Sequence, residues 1–281
     1  MVLDMFDEAT KTWSRIEQPG DYPPHRSGHV MVCYYNYIFV FGGLDAFDKY
    51  LGDLWVFDIV LRDWHMLSDA ARTHELVHKE FEGGIPEQRA FATGTVFPDF
   101  GAMVMAGGLL ADGSVSTDLW QLDLDQALNY IENPTKFSEQ NLWKYLAGQK
   151  HDDLVARWAH TAGLVNSRTM LVFGGIDSQN YAMRSVFAYD FLKNEILPLQ
   201  ESGAPPPTRL GHGLLPVGAG LFLLYGGADP KGRGSFSDLW HVRVHLDSND
   251  IHFSQMKYKG DHEHYILSWR TGFKMAFIYG M

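Results

Sequence analysis

Short apolar runs recur along the chain, and four of them end in a pair of glycines. The runs are Phe39-Val-Phe41, Val104-Met-Ala106, Leu171-Val-Phe173 and Leu223-Leu-Tyr225. The pairs that follow are Gly42 and Gly43, Gly107 and Gly108, Gly174 and Gly175, and Gly226 and Gly227, at intervals of 65, 67 and 52 residues. A short apolar run that ends at glycine predicts a buried strand, and its recurrence predicts a repeat architecture.

An arginine opens another apolar segment 16 to 18 residues before each glycine pair. The four segments are Arg26-Ser-Gly-His29, Arg89-Ala-Phe-Ala92, Arg157-Trp-Ala-His160 and Arg209-Leu-Gly-His212. Turn-forming residues, among them Asn36, Asp99 and Asn166, stand between the arginine and the glycines. This order predicts two antiparallel strands joined by a tight turn.

A third strand with a central aromatic residue follows each glycine pair, and a fourth strand closes the unit. Three copies read Asp53-Leu-Trp55, Asp118-Leu-Trp120 and Asp238-Leu-Trp240, whereas the remaining copy reads Ser185-Val-Phe187. Four consecutive antiparallel strands per repeat predict one blade of a β-propeller.

The combination of Arg-x-Gly-His, Gly-Gly and Asp-Leu-Trp resembles the kelch repeat over nearly the whole chain. The resemblance implies an all-β, kelch-type β-propeller with four-stranded blades. Counting predicts five blades, because residues 3–7 and 12–16 match a third and a fourth strand, and residues 264–267 and 273–279 supply a first and a second. The N-terminal strands would then pair with the C-terminal strands and close the last blade, which removes free sheet edges. In the alternative, Arg270-Thr-Gly-Phe273 begins a first strand and that blade lacks its second strand.

The organisation predicted is a single domain over residues 1–281 with two insertions. Residues 68–88 lie between the first two units, and residues 126–140 lie within the second unit. The second insertion contains Ala127-Leu-Asn-Tyr-Ile131, which predicts a short helix.

Charge and cysteine content narrow the classes of partner. The chain has 34 acidic and 23 basic residues and a formal charge of -11, which disfavours nucleic acid and anionic membrane surfaces. Cys33 is the one cysteine, and Asn133-Pro-Thr is not a glycosylation acceptor because of its proline. No secretory signal or long apolar span is evident. We expect an intracellular, cytoplasmic protein.

The four recurring arginines are the candidate partner-binding residues. Arg26, Arg89, Arg157 and Arg209 would lie near one mouth of the propeller channel, where guanidinium groups suit a peptide that carries carboxylates or phosphate. The alternative is that they pair with blade acids such as Asp58 or Asp123 and brace the turn. The glycine pairs and the tryptophans Trp55, Trp120 and Trp240 are interpreted as structural.

The recurring histidines do not predict a metal centre. His29, His160 and His212 occupy one repeat position, and equivalent positions of separate blades lie too far apart to share an ion. His262 and His264 form a denser cluster, but two ligands make only a weak metal site. No cofactor is predicted.

Function is expected to be protein or peptide binding on a rigid scaffold, as the resemblance to kelch proteins implies. No BTB or F-box domain is evident, so an adaptor in a ubiquitin ligase would need a separate partner. One alternative is a structural subunit of a large assembly. Another is a kelch-type enzyme similar to galactose oxidase, an epimerase or a specifier protein. The oxidase needs a cysteine cross-linked to a tyrosine, but Tyr34 and Tyr35 are merely sequence neighbours of Cys33, and no catalytic set is evident.

Overall fold

A computed structural model describes residues 3–68, 84–133, 142–147, 156–232 and 234–257. The chain divides into two compact units. Unit 1 consists of residues 1–114 and 119–146, and unit 2 consists of residues 115–118 and 147–281. The single domain expected over 1–281 stays a prediction.

Unit 1 begins with a two-stranded antiparallel sheet and continues into the first four-stranded sheet. The pair consists of β1 (Asp4–Asp7) and β2 (Thr12–Arg15). The four-stranded sheet consists of β3 (Val30–Tyr34), β4 (Tyr37–Leu44), β5 (Tyr50–Asp58) and β6 (Asp63–Ser68). Its strands are antiparallel neighbours in chain order, as in a propeller blade.

The second four-stranded sheet also lies in unit 1. A short strand β7 (Arg89–Ala90) precedes it and pairs with β10 (Leu109–Leu110). The sheet consists of β8 (Thr93–Phe97), β9 (Ala102–Ala106), β11 (Leu119–Asp123) and β12 (Trp143–Ala147), again in consecutive order. Helix α1 (Leu124–Glu132) follows β11, and the side chain of Asp123 caps it by accepting a hydrogen bond from the Gln126 backbone N–H.

Unit 2 contains the third and fourth sheets. The third consists of β13 (Thr161–Asn166), β14 (Thr169–Phe173), β15 (Val186–Asp190) and β16 (Glu195–Pro198). The fourth consists of β18 (Gly213–Gly218), β19 (Leu221–Tyr225), β20 (Leu239–His245) and β21 (Asp250–Gln255). One more strand, β17 (Gln200–Gly203), runs parallel to β21 along its outer edge.

The second strands of the second and third sheets are buried along their whole length. Every residue of β9 and of β14 is buried. In unit 1, Phe41 of β4 packs edge-on against Trp143 of β12, with ring centroids 5.0 Å apart. In unit 2, Phe173 of β14 packs against Phe253 of β21 at 5.8 Å. The uninterrupted apolar runs of the sequence therefore form the interfaces between sheets.

The residue two positions after each recurring arginine has a left-handed backbone. The φ angles are +63° at Gly28, +59° at Phe91, +53° at Ala159 and +60° at Gly211. This conformation lets neighbouring repeats bond directly. The Phe91 N–H donates to the Gly28 carbonyl at 2.6 Å, and the Gly211 N–H donates to the Ala159 carbonyl at 3.2 Å.

The all-β, four-stranded sheets confirm the repeat that the sequence predicts, and four such sheets lie within the described residues. The five-blade count and the closure of the last blade stay predictions, because residues 264–279 lie outside the described residues. The same is true of most of the insertion at 68–88, of residues 134–140 and of His262 and His264. In the described part of the chain, no helix combines the length and apolar character needed to cross a membrane.

Replacing Ala159 by glycine is expected to stabilise the protein by about 0.5 to 1 kcal/mol, because the Cβ atom penalises the left-handed conformation. Ala162, in strand β13, is the matched control, and Ala162→Gly should lower stability by about 0.5 to 1 kcal/mol. Urea unfolding measures both changes. A loss of stability in Ala159→Gly equal to that in Ala162→Gly would contradict this account.

Candidate functional site

Each recurring arginine bonds to the first glycine of its own repeat. In every case the Nη1 atom donates to the glycine carbonyl oxygen. The distances are 2.9 Å from Arg26 to Gly42, 3.0 Å from Arg89 to Gly107, 3.3 Å from Arg157 to Gly174 and 2.8 Å from Arg209 to Gly226. This hydrogen bond links the segment before the first strand of the repeat to the C-terminal end of the second strand.

In the first and fourth sheets the arginine also forms a bidentate ion pair with the aspartate of Asp-Leu-Trp. Arg26 donates to both carboxylate oxygens of Asp53 at 2.8 Å. Asp53 accepts a further bond from the indole N–H of Trp55, at 2.6 Å. We call this arrangement the arginine clasp. It consists of the arginine, the glycine carbonyl and the residue that stands at the aspartate position of Asp-Leu-Trp.

The clasp of the fourth sheet has the same geometry. Arg209 donates to the two oxygens of Asp238 at 2.7 and 2.8 Å, and Trp240 donates to Asp238 at 2.6 Å. Burial acts to raise the pKa of Asp238, but the hydrogen bonds from Arg209 and Trp240 outweigh it, and the pKa is lowered overall. The carboxylate is therefore ionised at neutral pH and matches the guanidinium charge.

The third sheet forms its clasp with serine. Arg157 donates to the Ser185 carbonyl at 3.2 Å and to its hydroxyl at 3.1 Å, and it lies 4.9 Å above the Phe187 ring. Burial lowers the pKa of Arg157 to about 10, which still leaves the group charged at neutral pH. The departure from Asp-Leu-Trp thus preserves the contact between the second and third strands.

The four arginines are enclosed by the fold. Arg89, Arg157 and Arg209 are buried residues, and the side chain of Arg26 has no exposed surface. Asp53 and Asp238 accept from the arginines, rather than the expected Asp58 or Asp123. Asp58 and Asp123 accept from backbone N–H groups instead. Partner binding by the arginines stays a prediction, and these contacts support the bracing alternative.

The glycine pairs stand where the backbone is too crowded for a side chain. A Cβ atom on Gly42 would lie 2.6 Å from the carbonyl oxygen of Arg89, in the next repeat. One on Gly43 would lie 2.7 Å from the carbonyl oxygen of Ser27, in its own repeat. Trp55, Trp120 and Trp240 are buried. These residues form the frame that holds the arginine clasps.

His212 is a buried histidine of unit 2. Its Nε2 atom lies 2.8 Å from the hydroxyl of Thr161, and its ring packs against Phe173. Burial, with the nearby charge of Arg209, lowers the pKa of His212 to about 3. The ring is therefore neutral at physiological pH. Among the described residues, no group of three His, Cys, Asp or Glu side chains is placed to hold a metal ion.

The loops between second and third strands share a second recurring frame. Asp45 accepts from the backbone N–H groups of Phe47 at 2.8 Å and Lys49 at 3.0 Å. Asp177 accepts in the same way from Gln179 at 2.9 Å and Tyr181 at 2.8 Å. The signal was in the sequence, because an aspartate follows Gly-Gly-x at both positions.

The loop of the fourth sheet has the same frame, because Asp229 accepts from the Lys231 N–H at 2.8 Å. The loop of the second sheet closes with the same backbone bonds but has Leu110 in place of the frame aspartate, and there Asp112 accepts from the Ser114 N–H at 2.9 Å. In the three loops with the aspartate, the third residue after it has a left-handed backbone; these residues are Asp48, Asn180 and Gly232. We call the segments 45–49, 110–114, 177–181 and 229–232 the tip loops.

The tip loops carry exposed side chains of different chemistry on this common backbone. Phe47 is 90% exposed and Tyr181 is 67% exposed, whereas Gln179 and Lys231 are polar. Large aromatic groups at such exposure add nothing to the core. Sequence reasoning missed these residues because it followed only the positions that repeat.

A shallow cleft of about 390 Å³ lies in unit 1, beside β6 and the C-terminal end of α1. Trp55, Trp64 and Tyr130 are among the residues that line it. The indole N–H groups of Trp55 and Trp64 are already bonded, to Asp53 and Gln18. The tryptophans thus offer the cleft apolar surface only.

Comparison with known proteins gives related repeats. Residues 2–139 match the KLHDC2/KLHL20/DRC7 Kelch-repeats domain. Multiple epidermal growth factor-like domains protein 8 of Mus musculus is 29% identical over 190 residues, which are 67% of this chain and 6% of that protein. Rab9 effector protein with kelch motifs of Mus musculus is 48% identical over 52 residues, 18% of this chain and 13% of that protein. Adagio protein 3 of Arabidopsis thaliana is 25% identical over 233 residues, 79% of this chain and 33% of that protein.

Four-stranded antiparallel sheets, with second strands that end in glycine pairs held by arginine, define a repeat protein of the β-propeller blade type. Residues 2–139 thus carry repeats of the kelch type. The chain spans about a third or less of the length of each of the relatives named above.

Removing the carboxylate of one clasp is expected to destabilise the protein. Asp238→Ala leaves the enclosed Arg209 guanidinium without its counter-ion and should lower the free energy of unfolding by about 3 kcal/mol. The exposed pair of Arg184 and Glu201, 3.5 Å apart in unit 2, provides the control. Glu201→Ala should cost less than about 1 kcal/mol in the same urea titration. Equal losses in the two variants would show that the clasp does not brace the sheet.

His212 is expected to make the protein less stable as the pH falls. The unfolded histidine binds a proton near its ordinary pKa of 6.5, whereas the folded one does not until about 3. The unfolded state therefore gains protons first, and between pH 7 and pH 5 stability should fall by about 2 kcal/mol. His212→Gln should remove this part of the slope in urea unfolding, while the exposed His245→Gln should keep it. An unchanged slope in His212→Gln would refute the assignment.

Proposed function

We propose that the chain is a protein-interaction module that contacts its partner with the tip loops. The observation that carries this proposal is Phe47, which is 90% exposed at the end of a loop whose backbone is fixed by hydrogen bonds. An aromatic ring on a rigid loop is a favourable anchor, because it buries large apolar area on binding and loses little conformational freedom.

A second observation supports the proposal: the residues that fix the shape of a tip loop are different from the residues exposed at its end. In three of the tip loops the aspartate and the left-handed residue set the shape, and the residues between them differ from loop to loop. Phe47, Gln179 and Lys231 occupy the same position in three loops and differ in size and charge. Such variation on a constant scaffold is typical of recognition loops.

The arginine clasps have a supporting role in this proposal. Arg26, Arg89, Arg157 and Arg209 keep each glycine pair in register, so the loop that follows starts from a fixed point. Kelch repeats commonly serve as protein-interaction modules, and one mouse relative is named as an effector of Rab9. Both facts support a protein or peptide partner. The proposal assigns the chain no catalysis, cofactor, nucleic acid or membrane surface.

The proposal extends to a fifth blade and an intracellular location. The turn between β1 and β2 supports the fifth blade, because Asp7 accepts from the N–H groups of Ala9 and Thr10 as Asp58 accepts from Val60 and Leu61. Strands β1 and β2 would then be its third and fourth strands. The single Cys33 supports a reducing compartment.

Removing the exposed rings is expected to reduce partner capture strongly without affecting the fold. Phe47→Ala and Tyr181→Ala, tested singly as baits in native lysate, should each reduce recovery of the wild-type partner by about tenfold or more if the ring is a hot spot. Thermal melts of both variants should match the wild type, because neither ring is in the core.

Leu192→Ala is the matched control, since Leu192 is 60% exposed but lies in the turn between β15 and β16. It should leave recovery unchanged. If both ring variants recover the same partners as the wild type, the tip loops are not the contact surface.

A further inference from the structure

The turn between β5 and β6 exposes three apolar residues that the fold does not require. Asp58 accepts from the N–H groups of Val60 and Leu61, both at 2.8 Å, and Arg62 closes the turn with a φ of +59°. Ile59, Val60 and Leu61 stand between these two fixed points. Val60 is 68% exposed and Leu61 is 71% exposed.

The equivalent turns of other sheets are less apolar. In the turn between β1 and β2, Asp7 and the left-handed Lys11 enclose Glu8, Ala9 and Thr10. The turn between β20 and β21 has Leu246, Asp247 and Ser248 before the left-handed Asn249. The three consecutive aliphatic residues of the first sheet are therefore not a demand of the turn.

Further apolar side chains extend this surface within unit 1. The Ile59 N–H donates to the Asn36 carbonyl at 2.9 Å, which places Tyr35 beside the turn. The ring of Tyr35 packs at a tilt against that of Tyr34, with ring centroids 4.4 Å apart, and the Tyr34 hydroxyl donates to Asp125 at 2.8 Å.

Asp125 lies against Gly101, the residue after the exposed Phe100. We call Tyr35, Ile59, Val60, Leu61 and Phe100 the turn patch. Clustered exposed apolar side chains of this kind mark interaction sites, whereas single ones do not.

Acidic groups border the turn patch. Asp99 and Asp125 are exposed on the side of Phe100, and Glu132 is exposed at the end of α1. Burial raises the pKa of Tyr37, and the negative charges of Asp58 and Glu132 raise it further. The exposed carboxylates of Asp99, Asp125 and Glu132 outnumber the exposed guanidinium of Arg62, which closes the turn, and this balance favours a cationic partner and disfavours anionic lipid.

The shape of the turn patch favours a helical partner segment over an extended one. The patch is built from turns, which do not present a row of unpaired backbone groups for another strand. A helix satisfies its own backbone hydrogen bonds and recognises a surface through side chains alone. We propose that the turn patch docks an amphipathic helix of a partner protein, with an apolar stripe flanked by lysine or arginine.

The test uses the full chain and a synthetic helical peptide of about 18 residues, with leucine on one face and lysine on the other. Fluorescence anisotropy measures its Kd. The wild type should bind this peptide more tightly than a scrambled peptide of the same composition, and added salt should weaken binding. Val60→Asp/Leu61→Asp should raise the Kd by about tenfold or more.

Three controls separate the explanations. Leu192→Asp, in the equivalent turn of the third sheet, should leave the Kd unchanged, as should Phe47→Ala in a tip loop. Failure of the tip-loop proposal therefore leaves this result intact. Equal Kd values for wild type and Val60→Asp/Leu61→Asp would overturn the proposal. So would binding to phosphatidylcholine–phosphatidylserine vesicles, or self-association in analytical ultracentrifugation, if either is lost in Val60→Asp/Leu61→Asp.

Discussion

The hydrogen bond from arginine to the first glycine carbonyl is the contact on which each repeat depends. The glycine pair lies where two repeats crowd together, so its carbonyl is cut off from water and needs a donor. The guanidinium group needs acceptors for the same reason, because it too is enclosed. One arginine therefore satisfies the end of the second strand and the start of the third at once, and in the fourth sheet Asp238 balances its charge.

Because the arginines brace the sheets internally, the sheets share one geometry while the loops differ in chemistry. At one end, three of the tip loops share an aspartate frame just after their glycine pairs, yet they present Phe47, Gln179 and Lys231. At the other end, the turn that contains Val60 and Leu61 keeps the frame of its polar counterparts and carries aliphatic side chains. The proposals for function rest on residues that the frame leaves unconstrained.

The sequence predicts the sheets well, because buried strands between turns impose a visible apolar period. It does not predict which aspartate meets which arginine. Asp58 lies opposite Tyr37 at the far end of the strand pair, whereas Asp53 directly precedes Leu54, which lies opposite Phe41 beside the glycine pair. The left-handed backbone of Phe91 and Ala159 is also hidden, since neither residue favours it. The recurring aspartates of the tip loops were visible, but their role appears only with the hydrogen bonds.

Strand β17 runs along the outer edge of β21, with Gln200 opposite Asp250 and Gly203 opposite Phe253. The backbone groups on that edge of β21 are thereby occupied by the chain's own linker. An uncovered outer strand is a template on which a second molecule can grow a continuous sheet. The edge of the fourth sheet is therefore the four-residue β17 rather than the six-residue β21, and a shorter edge strand offers fewer backbone groups on which a second molecule can add a strand.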